Sequence, residues 1–179
     1  MARSFTAVRF FFCLMTFLGG LSLVLMPAMA QDTSSGSTDL PLPRFVSLKS
    51  DRVNVRIGPS IKYDIGWTFV QSGLPVEIIQ EFENWRQIRD WEGKQGWVFH
   101  SLLSGRRTAL VTPWEQNNRT PLRARSSSDA DIVAELEPFV LASVTECAGG
   151  WCRVSGETYD GWLDQTRLFG VYPDELIED

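Results

Sequence analysis

Val53-Asn54-Val55-Arg56-Ile57-Gly58-Pro59-Ser60 is the stretch on which the fold turns. Apolar and polar side chains alternate from 53 to 57, the period of a half-buried strand. Asn54 and Arg56 then point away from the valine face. Gly58-Pro59 supplies turn chemistry, with Pro fixing φ and Gly tolerating a positive φ. Outward from here the chain keeps to short alternating runs broken by Gly, Pro, Asn and Asp. Residues 45–48, 85–91 and 96–99 are such runs, 75–80 is an apolar run with Glu77 inside, and Glu92-Gly93-Lys94 is a further turn. None sustains a helical stripe, so the reading is a small all-β fold.

The second half repeats this order. Leu122-Arg123-Ala124 stands 67 residues after Val55-Arg56-Ile57, and Trp151-Cys152-Arg153-Val154 stands 66 after Trp85-Arg86-Gln87-Ile88. Gly161-Trp162-Leu163 follows Gly96-Trp97-Val98 by 65, and His100 is set against Asp164. Recurrence in one order at nearly constant offset implies two copies of one module. Trp97, Trp162, Trp85 and Trp151 recur at fold-defining positions and are expected in the cores. Tyr63, Trp67, Trp91 and Trp114 have no counterpart in the other copy. They read either as liners of a groove for an extended peptide or as satellite core.

Residues 53–60 resemble the opening of bacterial SH3 (SH3b) domains, and Lys62 to Gly66, Ser72 to Val76, Trp85 to Ile88 and Gly96-Trp97-Val98 continue the family pattern. Residues 108–169 are similar to a divergent second copy that keeps Leu122-Arg123 but has lost the Gly-Pro. The arrangement is similar to that of exported two-copy SH3b proteins of proteobacteria. The resemblance implies two tandem, partly open SH3-like β-barrels that recognise an extended ligand, often a cell-wall peptide. Within that picture the ligand-binding candidates are Tyr63, Trp67, Trp91, Arg56 and Asp64, all in the first copy. Arg56, like Arg123, reads alternatively as a rim or ion-pair arginine.

Ahead of the repeats, Arg3 and Arg9 precede an apolar run of 16 residues from Phe10 to Leu25, followed by Ala28-Met29-Ala30. Basic start, short apolar run and small-residue end form a secretory signal, cleaved after Ala30. The run is shorter than the ~20 residues of a membrane span. The expected organisation is therefore a signal peptide over 1–30, a flexible leader over 31–44, a first module over 45–105, and a second, divergent module with a short tail over 106–179. Cleavage removes two arginines and leaves 15 basic against 22 acidic side chains, a net charge of −7. That balance disfavours nucleic acid and anionic membrane surfaces.

Two cysteines remain, Cys147 and Cys152, around Ala148-Gly149-Gly150-Trp151. In an exported chain an even count and a glycine-rich loop point to a structural disulfide. A redox pair would ordinarily have C-x-x-C spacing at a helix start. Two thiolates cannot complete a zinc tetrahedron, and no metal is expected. The one histidine, His100, has no nominated partner, and no phosphate loop or marked carboxylate pair appears. Taken with the resemblance, these residues imply a monomeric, cofactor-free, non-catalytic module in the periplasm or medium. The ligand that the resemblance implies is a peptidoglycan peptide; the alternative is an adaptor for an envelope protein's peptide segment, and a cell-wall hydrolase or its regulator is the remaining reading.

Overall fold

The structure is a computed structural model that describes residues 38–178. The signal peptide, its cleavage after Ala30 and the first part of the leader lie outside the described residues.

The chain is all-β. Seven strands form the first sheet: β1 (Arg44–Leu48), β2 (Val53–Arg56), β3 (Ile65–Phe69), β4 (Pro75–Phe82), β5 (Trp85–Arg89), β6 (Gln95–Phe99) and β7 (Leu103–Ser104). Seven more form the second: β8 (Thr108–Val111), β9 (Thr120–Arg123), β10 (Ile132–Leu136), β11 (Leu141–Ala148), β12 (Trp151–Ser155), β13 (Asp160–Asp164) and β14 (Leu168–Phe169). The strand orders are β3-β2-β6-β5-β4-β1-β7 and β10-β9-β13-β12-β11-β8-β14. Each strand of the first sheet thus has its equivalent seven strands later, in the same position, and both copies place a 3₁₀ turn before the last strand. Each sheet coils into a small, partly open barrel.

Alternation determines the cores. Val53 and Val55 face inward with Val76, Ile78, Ile88 and Val98. Leu122 faces inward with Val144, Val154 and Leu163. Gly96 and Gly161 also face inward, and both are obligatory. A Cβ on Gly96 would lie 2.5 Å from Val55 Cγ1, and one on Gly161 would lie 2.7 Å from the Arg123 carbonyl oxygen. The strand therefore turns Trp97 and Trp162 to the outer face. They are half-buried and belong to neither core, contrary to the expectation from their recurrence. Gly58 likewise departs from its expected role. It is not in the left-handed region, and it is needed because the Tyr63 ring lies 2.6 Å from where a Cβ would sit.

The two barrels share a seam. β8 is buried on both sides, with Ala109 and Val111 in the second core and Leu110 in the first. Phe45 meets the rings of Phe169 and Tyr172 at centroid distances of 5.2 and 4.7 Å. Thr108 Oγ1 donates to the Gly73 carbonyl at 2.7 Å, and Tyr172 Oη donates to Glu77 Oε1 at 2.9 Å. Burial and the hydrogen bond to the Glu77 carboxylate both push the Tyr172 phenol far above its usual pKa, so it remains a donor.

Candidate functional site

Four strands of each barrel lie side by side on the outer face, and the registers align one residue from each. In the first barrel Thr68 of β3 pairs with Asn54 of β2, and Trp85 of β5 pairs with Phe99 of β6. The Arg56↔Trp97 pair, continued by two residues, sets Asn54 beside Phe99. The row reads Thr68, Asn54, Phe99, Trp85. It is closed on itself: Thr68 Oγ1 donates to Asn54 Oδ1 at 2.9 Å, and the Phe99 ring stands edge-on to Trp85 at 5.5 Å. Trp85 is only 8% exposed.

The equivalent row of the second barrel is open. Glu135 pairs with Pro121, Trp151 pairs with Asp164, and the Trp162↔Arg123 pair continued by two residues sets Pro121 beside Asp164. Its members are Glu135, Pro121, Asp164 and Trp151. Among the described residues no ring covers Trp151, because a carboxylate stands where the first copy has Phe99. This register also makes Gln165 the counterpart of His100, as the 65-residue offset requires, so the expected match of His100 to Asp164 is one residue out.

This row is the floor of a cleft of about 750 Å³. One wall comes from the connection between β8 and β9. It runs for eight residues, 112–119, where the first copy has four, 49–52. Thr112 opens it with a φ of 35° that only a few side chains tolerate, held by its N–H donating to the Arg167 carbonyl at 2.8 Å. Glu115, Asn117, Asn118 and Arg119 of this loop line the cleft with Arg123, Ser128 and Arg167. Arg167 Nη1 to Glu115 Oε1, 2.6 Å, ties the loop to the 3₁₀ turn before β14.

The residues expected from sequence divide into two groups. Arg56, Tyr63 and Asp64 meet at the β2–β3 turn, where Arg56 Nη1 donates to the Tyr63 carbonyl at 2.6 Å. Arg123 makes the same bond to the Ala130 carbonyl at 2.7 Å, also seven residues on, so the recurring arginine closes its own hairpin in both copies. Tyr63 and Asp64 are exposed. Trp67 and Trp91 pack against the first core instead, at 6.1 and 6.0 Å from Phe69. Trp67 Nε1 is buried without an acceptor, and Trp91 lies 6.4 Å from Phe139 across the seam. The structure therefore does not bring the five into one groove. Sequence reasoning passed over Pro121, Glu135 and Asp164. The available signal was the 65-residue offset, which sets Phe99 against Asp164.

Cys147 and Cys152 are directly paired across β11 and β12 and form the disulfide. It closes the six-residue hairpin that carries Trp151. The same register position in the first barrel holds Glu81 and Arg86, a buried ion pair with Nε to Oε1 at 3.1 Å. Glu81 also accepts from Arg44 Nη2 and from Thr38, at 2.6–2.8 Å. Burial works to raise this carboxyl, but the bonds from Arg44 and Thr38 and the charge of Arg86 outweigh it and hold the pKa below the usual carboxylate range.

Among the described residues no group of three or more His, Cys, Asp or Glu could hold a metal ion, and no helix is long and apolar enough to cross a membrane. The chain is 27% identical over 123 residues to "Putative N-acetylmuramoyl-L-alanine amidase YrvJ" of Bacillus subtilis (strain 168), covering 65% of this chain and 24% of that protein. Two solved structures from Trichomonas vaginalis are similar in part. NlpC1 has a TM-score of 0.31 and 14% identity, covering 80% of this chain and 51% of that one. NlpC2 has a TM-score of 0.32 and 11% identity, covering 74% and 49%. The chain thus spans about a quarter of the curated relative and about half of each structural neighbour. The family model described as bacterial SH3 domain matches residues 49–105 and 116–170, the two barrels found here, and the chain belongs to that family.

Proposed function

We propose that this protein is a non-catalytic binding module of the cell envelope, and that the cleft of its second barrel holds an extended cell-wall peptide. Bacterial SH3 domains are cell-wall binding modules, and the curated relative carries the name of an enzyme that acts on the wall. The observation that carries the reading is the open row Glu135–Pro121–Asp164–Trp151, set against its closed equivalent in the first barrel. A flat indole at the bottom of a polar cleft offers rigid apolar area to an extended chain at low entropic cost. Arginines and carboxylates on the rim add direction by hydrogen bonding. The disulfide fits an oxidising compartment, in keeping with an envelope or extracellular site of action.

Co-sedimentation of residues 31–179 with purified peptidoglycan sacculi tests this reading. The protein should pellet with sacculi, and Trp151→Ala should weaken pelleting about tenfold or more while circular dichroism stays unchanged. Tyr63→Ala serves as the probe of the exposed β2–β3 turn. Failure of the native chain to pellet would sink the wall-binding reading and turn attention to a protein adaptor role. Loss on Tyr63→Ala with none on Trp151→Ala would move the site to the first barrel.

A further inference from the structure

Resting on that reading, we infer that the Trp151–Asp164–Glu135 row receives a primary ammonium group of the ligand. The charges around the cleft separate into committed and uncommitted ones. Arg167 is paired with Glu115 at 2.6 Å, and Arg119 with Glu137 at 2.8 Å. Arg123 is held by its own turn through the Ala130 carbonyl. Glu135 and Asp164 have no cationic partner among the described residues. Asp164 Oδ1 accepts from Thr166 N–H at 2.9 Å and Thr166 Oγ1 at 2.6 Å, which fixes the carboxylate and leaves Oδ2 available. Its direct cross-strand neighbour is the uncovered Trp151. Directly opposed residues in such a pair have Cβ atoms about 5 Å apart. An indole face and a carboxylate at that spacing suit a compact cation, which gains from the ring quadrupole and the charge together. The first barrel cannot do this, since Phe99 and Thr68 occupy the positions of Asp164 and Glu135.

The chemistry is tested with two N-acetylated, C-amidated tripeptides, Ala-Lys-Ala and its Nζ-acetylated twin, titrated into residues 31–179 with the indole N–H resonances observed. The free amine should bind about tenfold tighter and shift Trp151. Asp164→Asn keeps the acceptor for Thr166 and should abolish that discrimination without unfolding the hairpin. Equal affinity for the two peptides, binding of neither at millimolar concentration, or discrimination that survives Asp164→Asn would overturn the inference. Sacculi whose amines have been acetylated keep the two claims distinct. If the protein still pellets with them as strongly as before, the ammonium assignment is wrong and wall binding stands. If native sacculi fail to pellet it, wall binding is wrong and the peptide pair still decides the ammonium.

Discussion

Gly96 turns Trp97 outward. With Val55 against the glycine, the closing strand has room inward only for a hydrogen and for Val98, so the large ring takes the outer face. The same holds for Gly161 and Trp162. Stability should follow: Ile88→Ala, in the core and fully buried, should cost about 2–5 kcal/mol, while Trp97→Ala should cost about 1 kcal/mol. Urea denaturation of both variants checks this, and a larger loss for Trp97 would return that ring to the core. At this scale recurrence was legible in the sequence, but the face was not. Two residues recurring at one offset occupy equivalent positions, and that alone does not distinguish a core ring from a surface ring. The alternation Gly-Trp-Val contained the answer, since glycine and valine share one face. Arg56 and Arg123 were harder to read, because a bond to a carbonyl seven residues on leaves no charge pattern.

The β-hairpin that supplies the floor tryptophan is stapled in both copies, by different chemistry. In the first barrel the position holds the Glu81–Arg86 ion pair, and in the second the Cys147–Cys152 disulfide. Removing one partner of a buried pair strands the other, whereas opening a short disulfide loop mainly frees the unfolded chain. Glu81→Ala should therefore cost about 3 kcal/mol, and reduction of the disulfide about 2 kcal/mol. Chemical denaturation with and without a dithiol reductant measures the two. Equal insensitivity of the native chain and of Glu81→Ala would contradict this account of the staples. The disulfide was legible from its loop. Its equivalence to an ion pair was not, because Glu81 and Arg86 are surface-type residues, and the bonds that complete Glu81's partners come from Arg44 and Thr38, distant in sequence. The longer β8–β9 loop was also hidden, since an insertion becomes a wall only when the sheet beneath it is known.

At the scale of the molecule, the repeats read from sequence are two barrels that share a seam. β8 serves both cores, and Leu110, Phe45, Phe169 and Tyr172 would be exposed if the barrels parted. Unfolding should be a single cooperative transition, and Tyr172→Phe should cost about 1–2 kcal/mol by removing the bond to Glu77. Two resolved calorimetric transitions would contradict the shared seam. Acid should weaken the fold. Burial tends to raise Glu175 as it does Glu81, but the Arg107 ion pair and the Tyr172 N–H hold it below the usual carboxylate range. A depressed carboxyl contributes stability above its unfolded pKa and loses it as pH falls through the folded value. Asp90, raised chiefly by burial, has the opposite sign. With two depressed groups against one raised, the melting temperature should be level from about pH 8 to 5 and fall below about pH 4. The central claim, that the second barrel's open row holds the ligand while the first barrel's closed row does not, has a direct test. The seven indole N–H signals of the full chain can be followed while soluble peptides released from sacculi are added. The account expects a progressive shift of Trp151 with Trp85 unmoved. A shift confined to Trp85 or Trp67, with Trp151 unmoved at saturation, would contradict it.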